Sequence, residues 1–407
     1  MLTKKYRRNK FSRRKVILGV ILVVAGSMLA TIAFLSLFTN KLSAPAKDEV
    51  ASEPKPQQIS SNVLFLGNTF WGRYINDWSM ASDLQYAYPF SRLSEFDRDK
   101  YDAWISGLEC PTASGVNMTS AEMEATLTFN CSPEYLPEAA KWFTAFTLAS
   151  NHTDNQGAEG FAETREQLDK YGIQYFGHYD PRVSDDICEI ISLPVTVKLD
   201  DGTTQKGKLP VAMCGFHGVF MIPPAEGVEE MAKYSAVMPV FALPHMGAEY
   251  QSAPDQIKTD FYHSLIDGGA DVVLGDHPHW IQTTESYEGH LIVYSMGNFM
   301  FDQQDTADVV RSAGINVVLQ TTSADKDQLS KWLEIGETCA SFKDDCLSQI
   351  KQENLTKLDI TYQFGVVGTN DAEKITKPAT AEQQESILER LNWQTTMSQL
   401  QSPYSSL

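Results

Sequence analysis

One segment indicates the architecture most directly: VFALPHMGAEYQSAPDQIKTDFYHSLIDGGADVVLGDHPHWIQ, residues 240–282. It begins with a short apolar run at 240–243, continues with helical spacing of apolar side chains over 253–268, and returns to an apolar run at 272–274. Short apolar runs are typical of buried strands, and the wider spacing is typical of an amphipathic helix. The segment therefore predicts a strand, a helix and a second strand.

The same alternation continues on both sides of this segment. Runs rich in Val, Ile, Phe and Leu predict further strands, and a second long helix is predicted over 159–171. Alternating strands and helices favour an α/β fold. The predicted strands lie at 63–66, 103–106, 143–148, 211–214, 240–243, 272–274, 291–294 and 315–320.

Side chains that can bind metal follow several of these strands directly. Loops at strand ends are where α/β folds gather functional groups from distant parts of the sequence. Imidazole nitrogens and a carboxylate together suit Zn, Mn or Fe. A single histidine is more often structural, so the pattern alone leaves both interpretations open. The residues at strand ends are Asn68, Glu109, Asn151, His152, His245, His277 and His279.

Charge is distributed unevenly along the 407 residues. Residues 1–15 hold eight of the 33 basic residues and none of the 52 acidic ones, and residues 16–38 have no charged side chain. About 20 apolar helical residues span a bilayer core, and a basic flank favours the cytoplasmic side. We expect an uncleaved transmembrane helix at 16–38, with 1–15 in the cytoplasm and the main domain outside. A signal peptide cleaved near 44–46 is the alternative.

The remainder of the chain is strongly acidic, which disfavours nucleic-acid binding because phosphate contacts need a positive surface. Residues 39–60 are rich in Pro, Ser and charge and are predicted to form a flexible linker. The main domain is predicted over 61–367. Residues 368–407 form a polar tail with a helix near 381–400.

Six cysteines are present, and none forms a CxxC pair, which disfavours a zinc knuckle. An even number in an extracytoplasmic domain favours disulfides over free thiols. Six cysteines allow about 15 pairings, so the sequence does not determine connectivity. Their order along the chain suggests 110–131, 188–214 and 339–346.

Four segments resemble the CapA family of capsule and poly-gamma-glutamate synthesis proteins, part of the calcineurin-like metallophosphatase superfamily. The resemblance covers roughly two thirds of the chain, and the N-terminal anchor matches the family's usual arrangement. The segments are GLECP (107–111), ASNHTDNQGAEGFAETREQLDKYGIQYFG (149–177), HMGAEYQSAPDQIKTDFYHSLIDGGADVVLGDHPHWIQ (245–282) and YSMGNFMFDQ (294–303).

This resemblance implies a four-layer αββα sandwich with metal ligands on loops at the strand ends. It also implies one or two divalent ions (Mn, Zn or Fe) and phosphoester hydrolysis, with His152 as the catalytic imidazole. The implied metal ligands are Asn68, Glu109, Asn151, His245, His277 and His279.

Four more residues receive roles from the same resemblance. Arg73 and Glu249 are predicted to contact an anionic substrate, with an ion pair at the surface as the alternative for Arg73 and helix capping for Glu249. Asp276 and Asn298 are predicted to lie behind the ligands, where such partners orient them. Asn298 could instead shape its loop.

Two positions depart from the family pattern. Asn68 stands where the family has Asp, and a neutral amide should weaken or empty the first metal position. Asn155 lies near where an Asp usually follows the Asn-His pair, and Asp154 is a candidate to replace it.

Two functions therefore remain open. One is a metal-dependent hydrolase or transfer factor in synthesis of an anionic envelope polymer. The other is a non-catalytic polymer-binding or assembly subunit on the same fold. The expected partners are the cell membrane and the polymer or its synthesis machinery, and no nucleic acid is expected.

Overall fold

A 15-stranded mixed sheet runs through the part of the chain that the computed structural model describes, residues 53–407. The strands are β1 (Pro56–Thr69), β2 (Ala103–Leu108), β3 (Ala145–Thr147), β4 (Gln174–Phe176), β5 (Cys188–Leu199), β6 (Thr204–Gly218), β7 (Val240–Met246), β8 (Val272–Leu274), β9 (Thr284–Tyr287), β10 (His290–Val293), β11 (Asn298–Met300), β12 (Arg311–Thr321), β13 (Ile360–Asn370), β14 (Lys377–Pro378) and β15 (Tyr404–Ser406).

Helices pack against this sheet. They are α1 (Arg73–Met80), α2 (Ser120–Thr126), α3 (Leu136–Ala139), α4 (Gly157–Lys170), α5 (Ala225–Ser235), α6 (Gln256–Asp267), α7 (Lys326–Ser341), α8 (Lys343–Gln352), α9 (Ala381–Leu391) and α10 (Trp393–Gln399). The fold is therefore a sheet-rich mixed α/β fold, in agreement with the predicted class.

Strand β1 is shared by two wings of the sheet. In one wing, the first half of β1 pairs with β5, and the sheet continues from β5 to β6, β7, β8 and β10. In the other wing, the second half of β1 pairs with β2 and β12. Phe65 on β1 stacks on Phe241 of β7 with ring centroids 5.1 Å apart. The two wings therefore pack face to face.

Alternate residues of β1 enter two separate hydrophobic cores, because successive side chains of a strand point to opposite faces. Val63 and Phe65 belong to the core that the second wing completes. Leu64 and Leu66 belong to a core on the opposite face. All four are fully buried, so β1 is fixed from both sides.

Parallel pairing determines where the loops meet. Strands β1 to β4 are parallel to one another, and β6, β7, β8 and β10 form a second parallel set. The carboxyl ends of each set therefore lie along one edge of its wing, where α/β sheets place functional loops.

All of the predicted strands overlap strands of the structure, but two predicted boundaries are wrong. The predicted linker 39–60 ends too late, because β1 already begins at Pro56 and pairs there with β5. The predicted tail 368–407 is part of the fold: β15 pairs with β13, and Ile387 and Leu391 of α9 are fully buried. Both errors arise because pairing with distant strands is invisible in local composition.

The three disulfides are those suggested by the order of the cysteines: Cys110–Cys131, Cys188–Cys214 and Cys339–Cys346. Cys188 and Cys214 are direct cross-strand partners on β5 and β6. The first disulfide begins next to Glu109 and joins the loop after β2 to the segment before α3. It therefore holds a loop that contributes to the candidate site.

Within residues 53–407, no helix is both long and apolar enough to cross a membrane. The predicted cytoplasmic segment 1–15 and transmembrane helix 16–38 lie outside the described residues.

Asp371 provides a test of buried charge away from the histidines. Its side chain is 2% exposed, its Oδ1 has no hydrogen-bond partner, and burial raises the pKa of Asp371 well above its ordinary value. A raised folded-state pKa contributes stability at low pH that is lost as the pH rises. Asp371→Asn should therefore raise the free energy of unfolding by about 1–3 kcal/mol at pH 8, and the gain should shrink towards pH 4. Urea unfolding at both pH values measures this, and a gain that does not change with pH would contradict it.

Candidate metal centre

Side chains from both wings converge at the carboxyl ends of the parallel strands. Glu109 directly follows β2, His245 lies near the end of β7, and His277 follows β8. One ligand atom from each lies within 4.8 Å of the other two, and all three residues are buried. A carboxylate and two imidazoles at this spacing form a donor set suited to a divalent transition metal.

His245 contacts Asp276, the residue predicted to lie behind the ligands. The Nδ1 atom of His245 lies 2.7 Å from Oδ1 of Asp276, and burial raises the pKa of Asp276 to about 7. When this carboxyl is ionised it only accepts, so Nδ1 of His245 then donates. The Nε2 atom then presents its lone pair. It lies 2.9 Å from Oδ1 of Asn151 and 3.2 Å from Nδ1 of His277. An amide oxygen and two imidazole nitrogens therefore lie close together, an arrangement that suits a bound cation.

Glu109 is the least satisfied polar group of the site. It is 1% exposed, and neither carboxylate oxygen has a hydrogen-bond partner among the residues that the structure describes. Burial raises the pKa of Glu109 well above its ordinary value, and the negative charges of Asp276 and Glu249 raise it further. A buried unpartnered carboxylate costs several kcal/mol, roughly, unless it meets a cation. The residues present therefore fit a metal ion.

A second group of donors lies on the other side of Glu109. Nε2 of His279 is 3.7 Å from Oε1 of Glu109, and Nδ1 of His279 is 2.8 Å from Oδ1 of Asn298. The Nδ2 of Asn68 donates to the same Asn298 oxygen at 3.2 Å, while the Oδ1 of Asn68 is buried and has no hydrogen-bond partner among the described residues. Asn298 therefore orients both side chains, and Asn68 offers a neutral oxygen.

The paired histidines stand in an unusual backbone conformation. His277 has φ +88° and His279 has φ +61°, on either side of Pro278. Non-glycine residues rarely adopt positive φ, and such strain persists where the surroundings enforce it, often at functional sites. This conformation directs both imidazoles towards Glu109 from a single short loop.

His152 lies on the loop after β3 beside Asn151. Its Nδ1 is 2.9 Å from Oδ1 of Asn155, and its ring packs on Phe129 with centroids 4.2 Å apart. Burial lowers the pKa of His152 to about 4. Asp154 is exposed, so Asn155 and not Asp154 occupies the orienting position. The prediction that Asp154 takes the place of Asn155 beside His152 is therefore wrong.

Arg73 is held in a buried ion pair. Its guanidinium bonds Asp302 through Nε at 2.9 Å and Nη2 at 2.5 Å, and Nη1 bonds Glu124 at 2.8 Å. The same group lies 4.5 Å from the centre of the Phe129 ring. Arg73 therefore forms an ion pair, which was the alternative to a substrate contact. The pair is buried and not at the surface, because Arg73 is 6% exposed.

Glu249 is exposed at the rim of the site, and a substrate contact for it stays a prediction. Its neighbour Tyr250 stacks on His279 with ring centroids 5.6 Å apart and accepts a hydrogen bond from Gln303 at 2.7 Å. Tyr250 therefore covers one imidazole of the site.

Two residues near the site were not assigned a role from the sequence. Lys258 on α6 is 1% exposed and donates to Gln282 at 3.0 Å, and burial lowers the pKa of Lys258 to about 7. His217 at the end of β6 is the register partner of His245, and its buried Nε2 has no hydrogen-bond partner in residues 53–407. Lys258 lies within a predicted helix, where only its burial distinguishes it. His217 follows a predicted strand, which was the available signal.

Comparison with known proteins assigns the family. The model of the family described as bacterial capsule synthesis protein PGA_cap matches residues 62–193 and 225–303, more than half of the chain. The chain therefore belongs to this family. The matched ranges contain every residue of the candidate centre from Asn68 to Asn298.

Two curated relatives were found. The PGA biosynthesis protein CapA of Bacillus subtilis (strain 168) is 28% identical over 266 residues, covering 62% of this chain and 67% of the relative. The capsule biosynthesis protein CapA of Bacillus anthracis is 26% identical over 171 residues, covering 40% of this chain and 41% of the relative.

Similar solved structures include a hypothetical protein from Thermus thermophilus, with 17% identity and a TM-score of 0.37 over 63% of this chain and 92% of that one. A novel phosphatase from Mycoplasma pneumoniae has 14% identity and a TM-score of 0.35 over 66% and 90%. Scores this low give no support for a shared activity.

Proposed function

We propose that this protein is a divalent-metal-dependent hydrolase or transfer enzyme of the phosphoesterase type, acting in synthesis of a capsule or poly-gamma-glutamate-type envelope polymer. The observation that carries this proposal is the buried, unpartnered carboxylate of Glu109 within ligand distance of His245 and His277. Membership of the capsule synthesis family and the names of the two relatives support the polymer assignment. The proposal includes a four-layer αββα arrangement of the two wings and their helices.

The donor atoms divide into two sets that share Glu109. Asn151, His245 and His277 would complete one set, and Asn68 and His279 the other. When bound, a divalent ion lowers the pKa of a coordinated water and neutralises charge on a phosphoryl oxygen. Asn68 supplies no charge, so its set is the weaker one.

The chain's own groups supply orientation and a proton site. Asn155 accepts from Nδ1 of His152, which leaves Nε2 of His152 as the atom that exchanges a proton with the substrate. Phe129 packs on this imidazole and limits its movement. Burial of the surrounding residues excludes water, which strengthens each electrostatic contact in the site.

We also propose a location at the cell membrane, with residues 16–38 as a single span and the main domain outside. The three disulfides support an oxidising compartment. The membrane and the anionic polymer or its synthesis machinery would then be the partners.

A non-catalytic polymer-binding or assembly subunit is the second candidate. The observation that favours it is Asn68, a neutral amide that donates to Asn298, so the set it shares with His279 has no carboxylate of its own besides the shared Glu109. A protein that binds metal but turns over no phosphoester would fit this alternative.

Metal content of the purified full-length protein, measured by elemental analysis after loading with Mn or Zn, tests the proposal. We expect one to two equivalents in the parent, and a loss of at least one equivalent in His277→Ala because an essential ligand is removed. His263→Ala is the matched control, since His263 lies on α6, bonds Glu285 and is not in the donor set. Absence of metal in the loaded parent, or equal loss in both variants, would rule out the centre.

A further inference from the structure

An exposed apolar groove lies beside the candidate centre. The rim groove, as we name it, has a volume of about 240 Å³ and is lined by Gly218, Val219, Phe220, Met221, Ile222, Met246, Gly247, Asp255 and Ile257. Phe220 is 76% exposed, Ile222 52% and Ile257 56%. Exposed apolar side chains that cluster in this way mark binding surfaces in soluble domains.

The rim groove begins where the candidate centre ends. Gly218 and Met246 directly follow His217 and His245, which are register partners on the parallel strands β6 and β7. The ring of Phe220 lies 5.6 Å from that of His217, edge to face. A ligand in the groove would therefore extend from the histidines outward over the rim.

The chemistry of the walls restricts what the rim groove can hold. Among residues 53–407, Asp255 is the only charged residue that lines it, and Oδ1 of Asp255 accepts the backbone N–H of Lys258 at 2.8 Å and caps α6. A carboxylate repels an anionic group, so an anion would be disfavoured within the groove itself. The volume is below the roughly 300–1,000 Å³ of sites that enclose a whole small ligand. The rim groove therefore suits one apolar segment of a larger ligand.

The residue that precedes Gly218, at one end of the rim groove, carries an unsatisfied polar atom. His217 is 4% exposed, its Nδ1 contacts the carbonyl oxygen of Tyr179, and its Nε2 has no hydrogen-bond partner within the described part of the chain. The unpartnered polar atom thus lies at the histidine end, and the exposed apolar side chains lie at the other end.

We propose that the substrate is an amphiphilic anionic ester, whose phosphate head reaches the candidate metal centre and whose aliphatic chain lies in the rim groove. This inference rests on the proposed function for the position of the head, while the chain-binding groove can be tested separately. A second copy of the protein or a lipid surface could also cover exposed apolar residues, and the experiment distinguishes both.

The test is calorimetric binding of ethyl, butyl and hexyl phosphate to the full-length protein in neutral-lipid nanodiscs, with empty nanodiscs as the blank. Affinity should increase by up to about fourfold per added methylene, the factor for complete burial of that group. Chelator treatment should weaken all three ligands but preserve this increment. A parent that binds no metal or hydrolyses no phosphoester would therefore contradict the proposed function, whereas a parent without the increment would contradict the groove.

Phe220→Ser/Ile222→Ser should reduce the increment to nearly nothing. Leu127→Ser/Phe342→Ser is the matched control, because these residues are 59% and 63% exposed outside the groove, and should leave the increment unchanged. The proposal is overturned if the parent shows no increment or if the groove variant keeps it. It is also overturned if that variant only changes a dimer to a monomer or only weakens binding to phosphatidylcholine vesicles.

Discussion

Replacing His152 with asparagine should lower the turnover of a phosphoester by about 10²–10⁴-fold while leaving metal content unchanged. The imidazole is beside the donor set but not within it, since the group of mutually close ligand atoms consists of Glu109, His245 and His277. Asn155 holds the Nδ1 atom of His152, so Nε2 is the atom free to transfer a proton. Asparagine is short and polar but cannot exchange a proton at that position.

The measurement is hydrolysis of p-nitrophenyl phosphate by the Mn-loaded full-length protein, with metal content determined on the same samples. His263→Asn is the control, because His263 bonds Glu285 and stacks on Tyr287. Its turnover should equal that of the parent. If His152→Asn keeps full turnover, the residue has no catalytic role, and if it loses metal, the residue is a ligand. A parent that binds metal but shows no turnover would favour the binding or assembly function.

The strand–helix–strand segment at 240–282 shows which features of the fold the local sequence can predict. Its three elements appear as β7, α6 and β8, and Asp255 caps the helix as a short acidic residue often does. Each of these features depends on residues close together in the chain. Periodicity and capping are therefore sufficient to predict them.

Elements that depend on distant pairing were not predictable in the same way. The first residues of β1 are polar, and they form a strand because β5 pairs with them more than 100 positions away. The polar C-terminal residues likewise join the sheet through β13 and β15. Composition indicates a linker or tail in both places, because the partner strand is absent from the local pattern.

The candidate site likewise has features that the local sequence predicts and features that it does not. Position after a strand singled out Glu109, His245 and His277, and the structure brings their ligand atoms together. What surrounds each side chain was less accessible, because a choice such as Asn155 over Asp154 depends on how one loop turns. Burial was also hidden: Lys258 and Arg73 are charged residues that a sequence places at the surface by default.

Arg73→Met should lower the free energy of unfolding by about 3–5 kcal/mol, the cost of leaving a buried charge without its partner. The side chain of Asp302 is 1% exposed and makes two bonds to the guanidinium. Methionine fills much of the same volume but supplies no charge, so Asp302 would remain buried and unpaired. The lost contact with the Phe129 ring adds to the effect in the same direction.

Urea unfolding of the full-length protein measures this change, and two further variants make it specific to the ion pair. Arg182→Met removes an arginine whose side chain is 74% exposed in its pair with Asp180, and should leave the free energy of unfolding nearly unchanged. Arg73→Met/Asp302→Leu removes both buried charges and should recover much of the stability lost in the single variant. If Arg73 instead binds substrate, the single variant would unfold like the parent and show a raised KM. The bidentate bond to Asp302 predicts the opposite: a large loss of stability that replacing the carboxylate repairs.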